Sequence, residues 1–291
     1  MINVAFCFIV KDGSEYLDKN LQNIIDLATL FCDEYKIFYV ENDSIDNTKE
    51  ILEKFKLKNN NIFGKHLTFS DKKYSTELCS NDFDLNCSKR TSRLAYLRNI
   101  SLEQAKEWSQ CNYMVMLDLD FIDFDKKEFI NMFDIINKNK NIDGIFGMSI
   151  TTSGNLYDIG AVKPMTKILS IILEEKLVKV NSAFSGFGIY RMKTIMDKNL
   201  NYNINSNDIE HINFNENFNN LFVYTPFRPI YIISAALISY FDLPYFGLNF
   251  ISNYLFLLLI LFILFIFYSS YNLFINKKYK KYKINKKIKI K

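Results

Sequence analysis

Cysteine, histidine and glycine are scarce in this 291-residue chain, and acid is missing from its end; each shortage narrows what the chain can do. The five cysteines (Cys7, Cys32, Cys79, Cys87, Cys111) form no CxxC pair and leave one thiol over. That is the pattern of reduced, mostly buried cysteine in an intracellular compartment. Two histidines, His66 and His211, leave few candidates for an imidazole metal ligand. The first apolar run leads into KDGSEY, with one glycine and no arginine. A glycine- and arginine-rich phosphate loop, with which sugar-phosphate nucleotidyltransferases usually open, is therefore missing. The start, MINVAFCFIVKDG, lacks both a basic leader and a small-residue cleavage site, so export of the N-terminal part is not expected.

Charge is unevenly spread. The last fifteen residues, KKYKKYKINKKIKIK, hold nine lysines and no acid; removing those nine charges from the net +4 leaves −5 for the remainder. A basic end next to an apolar stretch suits anionic lipid better than nucleic acid, so membrane lipid is the expected partner and nucleic acid is not. From Leu243 to Asn276 there is no charged residue, and LFLLLILFILFIFY at 255–268 is continuously apolar. This is a membrane-span candidate, with a buried core helix as its alternative. One span with cytoplasmic lysines would put the N-terminal part on the far side of the membrane. A hairpin through IYIISAALISYF (230–241), turning at Pro244 and Gly247, would leave both ends cytoplasmic. Asn42, Asn86 and Asn99 each begin an N-x-Ser sequon, and a glycan on Asn42 would block the site discussed below, which also favours a cytoplasmic location.

Strand-like and helical patterns alternate through the first 150 residues, the signature of an α/β fold with a mainly parallel sheet flanked by helices. NVAFCFIV (3–10) opens it. A helix follows with Leu17, Leu21, Ile24, Ile25 and Ala28 on one face, begun by an Asp12 to Glu15 arrangement like a capping box. YKIFYVEN (35–42), a helix through Leu52 and Phe55, and NIFGKHL (61–67) come next. Residues 68–89 read as an irregular insert, and 90–109 as a helix with Leu94, Leu97, Ser101, Ala105 and Trp108 toward the sheet. NYMVMLD is a buried strand, 125–140 a helix and 142–150 a strand.

Two acidic groups follow buried strands. Asp118 and Asp120, two residues apart, would face the same way in a strand and repel each other unless a cation is shared between them. Hard oxygen ligands select Mg²⁺ or Mn²⁺, which complete their shells with phosphate and water, so a nucleoside diphosphate is the natural ligand. An Asp-x-Asp triplet alone is also compatible with a solvated loop start. VENDSIDNT (40–48) places Glu41, Asn42, Asp43 and Asp46 on the same sheet edge. These can receive a ribose or a base N–H, cap a helix through Ser44 or Asp46, or do both.

Taken in order, IVKDGSEYLDKNLQNI, VENDSIDNTKEIL, RLAYLRN and MLDLD resemble the nucleotide-sugar half of the GT-A glycosyltransferases, a Rossmann-like fold. The likeness covers about residues 3–228 and is nearest to the capsule-associated, mannosyltransferase-like group and related giant-virus proteins. It implies that Asp118 and Asp120 bind the metal, with Asp118 nearer the ribose. It also implies that Val10, Lys11, Glu41, Asn42 and Asp43 contact the nucleotide sugar, and that Arg98, with Asn99, lies close to the nucleotide. NLYDIGAVK (155–163) resembles the family's tyrosine-aspartate segment, with Lys163 in place of the usual arginine. NSAFSGFGIYR (181–191) resembles the small-residue loop in which Gly186 and Gly188 admit the sugar; a bulge or tight turn is the other reading. NDIEHINFN (207–215) resembles the segment that supplies an acid, Asp208 or Glu210, to activate the acceptor, and a metal-side histidine, His211. A helix start would account for the same acids, and a satisfied polar role for His211; His66 is expected to be packed at a strand end.

The expectation is a GT-A glycosyltransferase domain over 1–228, a hydrophobic membrane-associated segment over 229–276 and a lysine-rich tail over 277–291. Its activity would be Mn²⁺- or Mg²⁺-dependent hexosyl transfer from a UDP- or GDP-sugar to a glycan, lipid or protein. The alternatives are a sugar-phosphate nucleotidyltransferase and a non-catalytic, membrane-tethered sugar-binding scaffold.

Overall fold

The computed structural model describes residues 1–69 and 88–231, apart from 153, 155, 173–175 and 206–208. All of these belong to one unit, Met1–Ile233. The elements run β1 (Asn3–Val10), α1 (Ser14–Phe31), β2 (Glu34–Asn42), α2 (Thr48–Lys58), β3 (Ile62–Leu67), α3 (Ser88–Glu107), β4 (Tyr113–Leu117) and β5 (Phe121–Asp123). They continue with α4 (Lys126–Lys138), β6 (Gly144–Gly147), β7 (Ile150–Thr151), a 3₁₀ turn at Ile159–Ala161, α5 (Lys167–Ile172), β8 (Leu177–Val180) and β9 (Phe187–Arg191). α6 (Met192–Asp197), α7 (Glu210–Asn215), β10 (Leu221–Tyr224) and β11 (Ile230–Tyr231) complete the series.

The main sheet has the order β3-β2-β1-β4-β9-β6-β10-β8. Six of its eight strands point one way; β9 and β8 are reversed. A smaller sheet, β5-β11-β7, lies after the first acidic turn. The mixed, mainly parallel α/β architecture matches the sequence expectation. Parallel strands covered on both faces must be apolar on both, which is why NVAFCFIV runs without a polar break. Val4, Phe6 and Phe8 enter one core with α1 and α4, whereas Ala5 and Cys7 enter the opposite core with α3. Each fully buried Phe or Leu contributes about 1.5–3 kcal/mol, so the sheet is held from both sides.

Helix faces largely match the periodicity: Leu17, Leu21, Ile24, Ile25 and Ala28 of α1 are buried, as are Leu97, Ser101, Ala105 and Trp108 of α3 and its C-terminal end, whereas Leu94 is only half-buried. The start of α1 differs from expectation. Gly13 is its N-cap residue and no capping box forms, because Asp12 turns its Oδ1 to the Ile45 amide instead, 2.8 Å away. Most of the insert expected at 68–89 lies outside the described residues, as does nearly all of the hydrophobic segment and the whole lysine tail. The first residues of that segment, Ile230–Tyr231, form a strand paired with β5 and β7. Among the described residues no helix is long and apolar enough to cross a membrane.

Candidate functional site

The carboxyl ends of β2, β1 and β4 lie side by side. Val10 is in register with Glu41, and Phe8 with Leu117, so both acidic groups leave the sheet on one edge. Two strand spacings separate them, about 10 Å. The edge of an open α/β sheet is where nucleotides bind.

β4 ends at Leu117, so Asp118 and Asp120 sit in the turn before β5 rather than within a strand as expected. The Asp118 amide donates to the Gly186 carbonyl (2.9 Å), which ties this turn to the start of β9. Asp120 is exposed to water, with protein packed around its base. Burial first, and then the charge of Asp118, push its carboxyl from 3.8 to about 7.

Beneath them lies Arg98. Its Nη2 donates to Asp118 Oδ1 at 3.1 Å and its Nε to Glu210 Oε1 at 3.2 Å, while the guanidinium lies 5.1 Å from the centre of the Phe184 ring. Burial works against its charge, but Asp118 and then Glu210 hold its proton on more strongly than usual. Only 4% of Arg98 is exposed; it is a buried counter-ion to two carboxylates, and its Nη1 has no hydrogen-bond partner. Glu210 is likewise buried, and enters the site as the partner of Arg98 rather than as an unengaged base. Asp208 lies outside the described residues.

His211 does not join the acidic pair. It is buried flat against Phe184 with ring centres 3.4 Å apart, near Tyr202 Oη (3.5 Å) and Glu210 (3.6 Å). Burial first, then Arg98, push its pKa well below the ordinary value, so it is neutral, and its Nε2 has no partner. The expected metal-side histidine is therefore packed behind the arginine.

At Gly186 and Gly188 a side chain would meet protein. Gly186 has φ +76°, and a Cβ there would overlap Tyr231 Oη. At Gly188 a Cβ would come 3.0 Å from the Phe146 ring. Tyr231 stacks on Tyr157 (4.2 Å, 9°) and its hydroxyl reaches the Asp118 carbonyl at 3.4 Å. Beside them, Asp158 adopts φ +48°; burial, with Glu210 and Asp118 nearby, pushes its carboxyl up to about 7. Tyr157 and Asp158 were legible only as part of a segment, and Tyr231 was hidden in the hydrophobic tail.

On the β2 side, Glu41 is fully buried. Its Oε1 accepts from the Ser44 amide (2.8 Å) and its Oε2 faces His66 Nδ1 (2.9 Å). His66 Nε2 in turn faces Glu53 Oε1 at 2.9 Å, so this histidine bridges two carboxylates instead of merely packing. Asn42 is buried, with its amide 3.4 Å from Asp43 Oδ2, and Asp43 stands at φ +52° and accepts from the Phe69 amide at 3.1 Å. Val10 is half-buried and Lys11 exposed at the adjoining end of β1.

The amino end of α1 is already occupied. Amides of Asp12, Gly13 and Ser14 donate to Ser44 Oγ (3.0 Å), Thr48 Oγ1 (2.8 Å) and Asp46 Oδ2 (2.9 Å). Burial opposes the Asp46 charge, but hydrogen bonds from Thr48 and Ser14 bring its carboxyl down to about 2. Three N–H groups that could cradle a phosphate there are thus taken.

No known protein family and no curated protein matches the chain by sequence. Solved structures do match by shape. S. aureus TarS 1–349 in complex with UDP superposes with a TM-score of 0.54 at 17% identity, covering 80% of this chain and 61% of that one. Its complex with UDP-GlcNAc gives 0.53 at 14%, covering 80% and 59%. The mannosyltransferase PcManGT from Pyrobaculum calidifontis, with GDP-Man and Mn²⁺, gives 0.51 at 8%, covering 80% and 57%. This chain has their fold. It spans roughly three-fifths of their lengths.

Whether a divalent cation fits can be judged from the side chains. Among the described residues no three His, Cys, Asp or Glu side chains gather as a ready-made ion site. Asp118 and Asp120 fit on other grounds. They are two hard oxygen donors reached by water, and the cost of ionising Asp120, set by burial first and then by the charge of Asp118, is what a divalent cation would relieve.

Proposed function

We propose that this protein is a divalent-cation-dependent glycosyltransferase using a nucleotide-diphosphate sugar. One observation carries the reading: the Asp118–Asp120 pair and the Glu41–Asp43 group share one sheet edge, in a fold also found in proteins bound to UDP, UDP-GlcNAc and GDP-Man. Asp118 and Asp120 would hold Mn²⁺ or Mg²⁺, which when bound offsets negative charge gathering on the departing diphosphate. Asp43 would accept from ribose or base, and the nearby Glu41 is held by Ser44 and His66. Tyr157, backed by Tyr231, offers a ring face beside the acids that suits the apolar side of a sugar.

If the reaction inverts configuration, a carboxylate acting as base must take the proton of the acceptor hydroxyl. Asp158 suits this better than Glu210, because Glu210 is held by Arg98 whereas the Asp158 carboxyl is poised near neutral pH. Asp208, the other acid named by the resemblance, belongs in the same mutational test. The resemblance to the mannosyltransferase-like group makes GDP-mannose an early donor to try, and the transferred group a hexose. The occupied amino end of α1 speaks against nucleotidyl transfer. A glycan, lipid or protein acceptor remains to be sorted by screening. The segment 229–276 and its basic tail would hold the enzyme on a membrane with the catalytic part cytoplasmic; alkaline extraction and protease protection of the full chain test this.

The deciding experiment is a panel of UDP- and GDP-sugars incubated with and without Mn²⁺, read by mass spectrometry. Metal-dependent binding, with transfer or slow hydrolysis of at least one donor, is expected. Equal donor binding with and without Mn²⁺, or full activity in Asp120→Asn, would remove the reading; binding without any turnover would favour a sugar-binding scaffold.

A further inference from the structure

The buried face of α1 contains a polar intruder. Between Leu17, Leu21 and Ile24 sits Asn20, which has no exposed surface. Its Nδ2 donates to the carbonyl of Leu119 at 2.7 Å and to the carbonyl of Phe121, the residues on either side of Asp120. Next to it, Lys19 Nζ donates to the carbonyl of Ile122 at 2.9 Å. Asn20 Oδ1 has no partner. An unmatched buried acceptor is a net cost, and an apolar residue would avoid it, so what the amide holds must account for its presence.

The geometry of the turn says why it needs holding. β4 ends at Leu117 and β5 begins at Phe121, so no strand ladder constrains Leu119 or Asp120. Left to itself, the turn could point the exposed Asp120 carboxylate in several directions. The two carbonyls gripped by one rigid amide remove that freedom. A preorganised pair of ligands loses less on binding a cation than a mobile pair does.

We infer that Asn20 is a positioning residue for the cation-binding turn: by pinning both carbonyls that flank Asp120, it aims that carboxylate at the same point as Asp118 and so sets the affinity for the divalent ion. The inference rests on the role given to Asp118 and Asp120 above. No other segment of the chain is needed for it.

The test is Mn²⁺ titration followed by electron paramagnetic resonance, at saturating UDP and separately at saturating GDP, on the full chain. Asn20→Leu removes both donors at similar volume. Its Mn²⁺ dissociation constant is expected to rise about tenfold, the low end of what loss of an outer-shell partner does to metal affinity. Metal-free UDP or GDP affinity should stay unchanged, and amide exchange in residues 118–122 should quicken. Should Asn20→Leu not fold, Asn20→Ser, whose shorter hydroxyl can satisfy at most one of the carbonyls, should show a smaller loss of the same kind. An unchanged dissociation constant in a folded variant, or a rise matched by equal loss of metal-free nucleotide affinity, overturns the role of Asn20 alone. Absence of Mn²⁺ binding by the wild-type protein with either nucleotide overturns the site assignment itself, and this inference with it.

Discussion

Replacing Asp120 by Asn should make the metal-free protein more stable at alkaline pH while depriving it of cation binding. The native Asp120 carboxyl stands at about 7 against an ordinary 3.8. A group whose native pKa is raised binds its proton more tightly folded than unfolded, so wild-type stability falls as pH rises from about 4 to about 7 and is then level. The full difference corresponds to an upper bound of ~4 kcal/mol. Water reaches Asp120, so about 1–2 kcal/mol is the realistic size. The Asn side chain keeps the shape and does not titrate. Thermal unfolding in chelator-treated buffer should therefore give nearly equal midpoints for the two proteins near pH 3, below the ordinary carboxyl value. At pH 8 an advantage of about 3–6 °C is expected for Asp120→Asn. Adding Mn²⁺ at a fixed saturating level of UDP or GDP should raise the wild-type midpoint and leave that of the variant unmoved. Should Asp120→Asn be no more stable than wild type at pH 8, or gain equally at both pH values, the picture of a repelling acid pair awaiting a cation is wrong.

Other perturbations follow from the same packing. Arg98→Met strands Asp118 and Glu210 without their buried counter-ion and should cost about 3–5 kcal/mol in urea unfolding. Arg98→Lys should recover only part of it, since an ammonium cannot copy the guanidinium fork. Gly186→Ala should destabilise by about 2 kcal/mol, because it combines a left-handed φ with overlap on Tyr231 Oη. Tyr231→Phe in the same chain should return some of that loss, a coupling that a double-mutant cycle reads directly. Asp46→Asn should lose about 1 kcal/mol at pH 7. Its native carboxyl is depressed, so this contribution is present above pH 4 and disappears as pH falls toward 2, where variant and wild type should melt together.

What could be read without the structure was whatever is encoded by local periodicity. The unbroken apolar run of β1, the 3–4 spacing of Leu17, Leu21 and Ile24, and acids placed straight after buried strands are consequences of backbone geometry repeating every two or 3.6 residues. They fixed the layers, and with them the edge shared by Glu41 and Asp118. Partnerships across the fold have no such period. Arg98 meets Glu210 across 112 residues of chain, Tyr231 fills the space that Gly186 leaves, and His66 bridges Glu41 to Glu53 through sheet register. Asn20 sat in plain view as a polar break in an apolar stripe, but which carbonyls it grips depended on how α1 lies against the turn after β4. The layers and the edge that gathers the acids were legible in the chain alone, because that information is local. Which of those acids are held by a partner and which stand unpaired came from the folded arrangement, because burial and partners are set by packing between distant segments.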